Sequence, residues 1–163
     1  MDRGSEHPGQ QRFEKAVSGA YLGRLLKAAC PDAPMDADAG SQAVVDLAQG
    51  RMPASRPDAA QRGTPMAEVG PDLAALARAI LRRSSRLVGA SIAALATSIP
   101  ATGNRCRVVA EGSLFWKAPG YVDDVTDALA ATLSGLGRPE LRSTVVRVAD
   151  ANLAGAALGA QRT

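Results

Sequence analysis

The residues best suited to chemistry fall in three short stretches. In "GQQRFEKAVSGAYLG", residues 9–23, one carboxylate, Glu14, stands among apolar and small residues. A carboxylate in such a setting can hold a ligand through charge-assisted bonds. On an exposed helix it is equally a solvated charge. In "VVAEGSLFWKAPGY", Gly112 and Ser113 follow a β-branched run. In "VVRVADANLAGAALGA", Asp150, Asn152 and Gly155 sit where a second such run gives way to a segment rich in Gly and Ala. Strand ends that feed helix N-termini are natural ligand sites, because free N–H groups point outward there. Each turn taken singly is also ordinary strand–helix punctuation.

Other chemistries are poorly provided for. With two cysteines, Cys30 and Cys106, and one histidine, His7, there is neither a disulfide framework nor a zinc site. A histidine so close to the first residue does not suit a Ser-His-Asp hydrolase. The patterns G-x-x-x-x-G-K-[ST], G-x-G-x-x-G after a strand, H-E-x-x-H and G-x-S-x-G are absent from the 163 residues.

Lysine and arginine number 19 against 16 acids, a formal charge of +3. The densest basic stretch, "RAILRRSSR", carries Arg78, Arg82, Arg83 and Arg86 without aromatics to stack on bases. It reads as a solvated helix face, and no nucleic-acid partner is expected. The N-terminal "MDRGSEHPGQ" is polar, unlike a signal peptide. No uncharged apolar run reaches the roughly 18 residues of a membrane span. A cytoplasmic protein without a membrane partner is expected.

The elements that must position these residues follow from periodicity. Phe13, Val17, Ala20, Tyr21 and Leu25 recur at steps of three and four, which predicts a helix over residues 9–30. Gly19 and Gly23, four apart, suggest another backbone packed close on one face. Residues 31–71 contain six prolines and read as largely irregular, with "SQAVVDLAQ" a short helix. A long helix is expected from Pro71 to Ile99. Its second half, "LVGASIAALA", is apolar nearly all round and should be buried. "RCRVVAEGSLFW" reads as a strand, a turn at 111–113 and a short second extended piece. An amphipathic helix over "YVDDVTDALAATLSGLG", a strand in "STVVRVAD" and a final small-residue helix complete the order α-α-β-α-β-α. That alternation predicts a helix-rich α/β unit, one domain over residues 1–163. Aromatic residues make up only 3%, so the core must be built from Ala, Leu, Val and Ile.

In this order and at this spacing the chain resembles the C-terminal half of the large domain of the hexokinase family, the sugar kinases that include glucokinase. "PGQQRFEKAVSGAYLGRLL" is similar to that family's "NPGxQxxEKxxSGxYLGE" helix. "LRRSSRLVGASIAAL" looks like its "SRRAAxLxGAxxAA" helix. "AEGSLFWKAPGY" is similar to its "DGSxYKxxPxF" turn, with Glu111 for Asp. "ADANLAGAALGA" looks like a weakened form of its adenosine segment, "EDGSGxGAALxxA", with Leu153 at a position where glycine allows close approach.

The resemblance implies part of an actin-like, ribonuclease-H-like ATPase domain that binds hexose and adenine nucleotide, with ATP and Mg²⁺ as cofactors. Glu14 matches the glutamate that contacts sugar hydroxyls. Gly112 and Ser113, with Asp150, Asn152 and Gly155, match the nucleotide side. Glu14 is then expected at the mouth between the two turns. Asp36, Asp38, Asp46 and Glu68 lack the flanking pattern of a second sugar-contacting glutamate. The family's general base and phosphate-binding turns have no match in these residues. The resemblance therefore implies no catalytic residue in this chain, no activity alone, and a possible N-terminal half-domain chain as partner. Other readings are a non-catalytic sugar- or nucleotide-binding regulatory module and a basic interaction protein. A marginal fold, with apolar helix faces and a sheet edge uncovered, is the physical expectation.

Overall fold

Helices dominate because most apolar residues recur at helical steps, and the small Ala-rich sequence lets them pack closely. The computed structural model describes residues 8–53, 70–99 and 104–149. The first helix is not continuous. It divides into α1 (Arg12–Val17) and α2 (Gly19–Ala29) at Ser18, whose backbone is extended (φ −67°, ψ 138°). The Ser18 N–H donates to the Glu14 carbonyl at 2.7 Å and closes α1, while the Tyr21 N–H turns to the Ser18 carbonyl at 2.9 Å and opens α2. The Val17 carbonyl accepts instead from the Ser84 hydroxyl at 2.9 Å. The apolar period runs through the break, which is why periodicity predicts one helix.

α3 (Gly40–Ala48) is the short helix expected inside the proline-rich stretch. Lys27 near the end of α2 donates to the carbonyls of Pro31 and Ala33 at 2.7 and 2.8 Å and fixes the turn between these helices. Loop residues 35–40 then lie directly on α2. A Cβ on Gly23 would come within 2.8 Å of the Ala37 carbonyl oxygen, so the close backbone approach expected on this face is present there, while at Gly19 the close neighbours are the Ser41 and Leu114 side chains.

α4 (Pro71–Ser98), at 28 residues, is the spine. Its first half packs Ala77 and Ile80 against Leu22, Leu26, Val44 and Leu47 of α2 and α3. Its second half carries Ala93 and Ala96 against Leu129 and Leu133 of α6 (Tyr121–Gly135). The expectation that "LVGASIAALA" is buried is corrected at Leu95, which is 64% exposed. α6 covers one side of the helix, and among the described residues nothing covers the other.

β1 (Arg105–Val109) and β2 (Arg142–Val146) pair in parallel, Arg105 opposite Arg142 and Val109 opposite Val146. Parallel neighbours need a crossover, supplied here by α5 (Ser113–Lys117) and α6. α5 corrects the second extended piece expected after the turn. The chain reverses at Gly112, whose φ of +115° favours glycine, and α5 then buries Phe115 among Tyr121 and Val125. Cys106 and Val145 face the helices, while Arg105, Arg107, Val109, Arg142 and Thr144 form an exposed opposite face. Among the described residues the order is therefore four helices, a strand, two helices and a strand. The expected final helix, like residues 54–69 of the proline-rich stretch, lies outside the described residues.

Candidate functional site

The C-terminal end of β1 delivers the chain to the 111–113 turn, and two clefts open on either side of it. The first, about 550 Å³, is lined by Val17, Ser18 and Gly19 at the α1–α2 break, by Gly40 and Ser41 at the start of α3, and by Glu111, Gly112, Ser113 and Tyr121. The second, about 660 Å³, lies over the C-terminal ends of both strands. Its walls are the same turn, Trp116 and Lys117 of α5, and residues 147–149 after β2. Ligands of open parallel sheets characteristically sit at this end of the strands.

Of the residues singled out in the sequence, Gly112 and Ser113 border both clefts. Glu14 is exposed on α1 and is not in either lining. It stands one helical turn before Ser18, whose N–H it receives through its backbone carbonyl. Asp150, Asn152 and Gly155 lie outside the described residues. Asp38 and Asp46 are engaged by Arg24 and Arg51, each at 2.7 Å.

The second cleft is the more cationic. The Arg147 guanidinium lies 6.0 Å from the Trp116 ring centroid, within cation–π range, and the Trp116 indole N–H is anchored to the Ala110 carbonyl at 2.9 Å. Lys117 and Arg147 thus bring two positive charges to a cleft walled by an indole ring. Among the described residues no group of three His, Cys, Asp or Glu could hold a metal ion. Mg²⁺ is commonly held by one or two carboxylates plus phosphate oxygens and water, and the one carboxylate in these linings is Glu111. These linings offer positive charge and no protein cage for a cation.

The basic stretch is partly structural. Arg78 donates to the Ala48 carbonyl at the end of α3, 2.9 Å, and Arg83 to the Ala16 carbonyl near the end of α1, 3.2 Å. Cations there satisfy orphan carbonyls and oppose the negative end of the helix dipole. No helix among the described residues is long and apolar enough to cross a membrane.

Four residues of this site escape sequence reasoning: Ser84, Tyr121, Trp116 and Arg147. Ser84 is fully buried and bonded to both Val17 and Tyr121. Burial pushes the Tyr121 phenol above its ordinary pKa of 10.0 and outweighs the contrary pull of the Ser84 hydroxyl. One signal was available: Ser84 falls four residues after Ile80, in phase with the buried side of α4.

The sequence matches the family model described as Hexokinase over residues 1–48 and 71–162, more than half of the chain. The gap in that match is residues 49–70. A hexokinase of Emericella nidulans is 28% identical over an alignment of 183 residues. The alignment takes in 100% of this chain and 37% of the fungal protein, so the chain spans little more than a third of that relative's length.

Proposed function

The chain belongs to the hexokinase family, and on that premise we propose that it forms the part of an ATP-dependent hexose kinase that holds the sugar and the adenine nucleotide. Glu14 accepts from adjacent hexose hydroxyls. The Gly112–Ser113 turn presents backbone to the nucleotide, while Trp116, Lys117 and Arg147 supply a stacking face and positive charge. Asp150, Asn152 and Gly155 continue that side in the segment similar to the family's adenosine motif. The two parallel strands are read as a piece of the ribonuclease-H-like sheet, and the location as cytoplasmic.

The observation that carries this reading is the first cleft: the break that follows the Glu14 helix and the turn that follows β1 border one space. A sugar held there lies beside the turn that also borders the nucleotide cleft, the adjacency that group transfer requires. When bound, Mg-ATP supplies the transferable phosphoryl group. The residues named here bind and orient. None of them matches the family's general base or phosphate-binding turns, and phosphoryl transfer depends on positioning and charge stabilisation together. We therefore propose that these 163 residues bind without turnover. The exposed face of the sheet is where the rest of such a lobe would pack, in the same polypeptide or a second one.

Titration calorimetry on the folded chain tests the reading. Heat with glucose and with ATP is expected at ligand concentrations up to about millimolar, the weak end of specific affinity. Glu14→Gln should weaken glucose about tenfold or more and leave ATP unchanged, in keeping with the ~1.5–3 kcal/mol of a charged hydrogen bond. A folded chain that binds neither ligand overturns the proposal. Sustained glucose phosphorylation by the chain alone overturns the absence of turnover.

A further inference from the structure

Two hydroxyls meet directly behind the sugar-side cleft. The Ser84 hydroxyl of α4 lies 2.9 Å from the Val17 carbonyl oxygen and 2.7 Å from the Tyr121 hydroxyl. A hydroxyl has one proton to donate, and a carbonyl can only accept. The Ser84 proton is therefore committed to Val17, and Tyr121 must donate to Ser84. The bonds form a directed relay from the Tyr121 O–H, through the Ser84 O–H, to the Val17 C=O.

The relay joins three elements that have no covalent reason to stay in register. Tyr121 opens α6, Ser84 sits mid-way along α4, and Val17 ends α1. Tyr121 also meets Phe115 of α5 edge-on at 6.0 Å between ring centroids. Phe115 follows the 111–113 turn by two residues. One wall of the cleft is thus tied to the other through buried groups. Val17 and Tyr121 themselves line the cleft.

We infer that Ser84 and Tyr121 are positioning residues of this cleft. They hold the α1–α2 break, and with it Glu14 one turn earlier, at a fixed setting against the 111–113 turn. They set sugar affinity without touching the reacting atoms. The inference rests on the proposal that this cleft takes the hexose.

The test uses Tyr121→Phe, which removes one hydroxyl and keeps the ring, together with Ser84→Ala and the double variant. Amide hydrogen exchange at residues 18–21 should quicken by about tenfold in each single variant, with α6 amides after residue 125 unchanged, as expected when a loop loses one or two bonds. Glucose affinity should fall about five- to tenfold with ATP affinity held within about twofold, and the double variant should lose less than the product of the singles. A merely structural role would weaken both ligands together and quicken exchange throughout. That outcome, or unchanged exchange at 18–21, overturns the inference. If the parent chain binds no glucose, the hexose proposal fails by that result, while the exchange measurement still decides whether the hydroxyl pair holds the break.

Discussion

Gly89 of α4 and Val125 of α6 approach so closely that a Cβ added at Gly89 would lie 2.5 Å from the Val125 carbonyl oxygen. The same Cβ would also stand 2.9 Å from the Leu129 backbone nitrogen. Both obstacles are backbone, which cannot swing aside as a side chain does. The contact sets the spacing of the two longest helices and seats Val125 and Leu129, both buried, against the spine.

Gly89→Ala should therefore destabilise the chain, although alanine is the better helix former by ~1 kcal/mol. Overpacking costs about 1–3 kcal/mol, and against immovable backbone the upper end should prevail. Urea unfolding with an unchanged m value and a lower midpoint is the expected result. A stability gain would mean that α6 can move outward freely.

Gly112→Ala probes a different requirement. A Cβ there would meet nothing within 4 Å, so space is not at issue; the φ of +115° is. Side chains at such angles cost on the order of 1–3 kcal/mol. A lower melting temperature and weaker ATP binding are expected together, because the turn borders the nucleotide cleft. Loss of stability with full ATP affinity would separate the turn from the nucleotide.

The Tyr121 phenol supplies a pH dependence of known sign. Its folded pKa lies above the ordinary 10.0, so the folded state keeps the proton more tightly than the unfolded chain. The phenol's contribution to stability is complete below about pH 10, the unfolded value. It is lost as pH rises through the higher folded value. Ionisation would also draw the Ser84 proton away from Val17. The difference in unfolding free energy between the parent and Tyr121→Phe should stay flat to about pH 10 and then shift against the parent. A difference that does not change with pH would show that the phenol is not buried as described.

Leu95 in the last turn of α4 and Ile99, the extended residue that caps it, are both more than half exposed. With Leu136 and Val148 also exposed, the chain should self-associate through apolar surface. Replacing Leu95 and Ile99 together by lysine should reduce association in sedimentation velocity and change stability by less than about 0.5 kcal/mol per site, as surface substitutions do. Lysine also suits the C-terminal end of a helix. Undiminished association would assign it to another surface, such as the exposed face of the sheet.

The sequence by itself determined what depends on near neighbours. The helical steps of α3, α4 and α6, the two β-branched runs, the breaks at proline and glycine, and the motifs that carry the family resemblance are all local patterns. They are legible because a side chain's period fixes which face it presents, whatever that face meets. The close approach at Gly23 was legible for the same reason.

Tertiary structure decided the rest. At the α1–α2 break the Val17 carbonyl takes its donor from the Ser84 hydroxyl, 67 residues away on another helix. The α5 turn forms because Phe115 has an aromatic pocket to enter. The parallel pairing of β1 with β2, the shared turn between two clefts and the exposure of Leu95 follow from which elements come together and which faces they leave over. A hydrogen-bond partner drawn from a distant element leaves no periodicity in the chain, so the pattern of residues 9–30 could announce a helix but not where it must open.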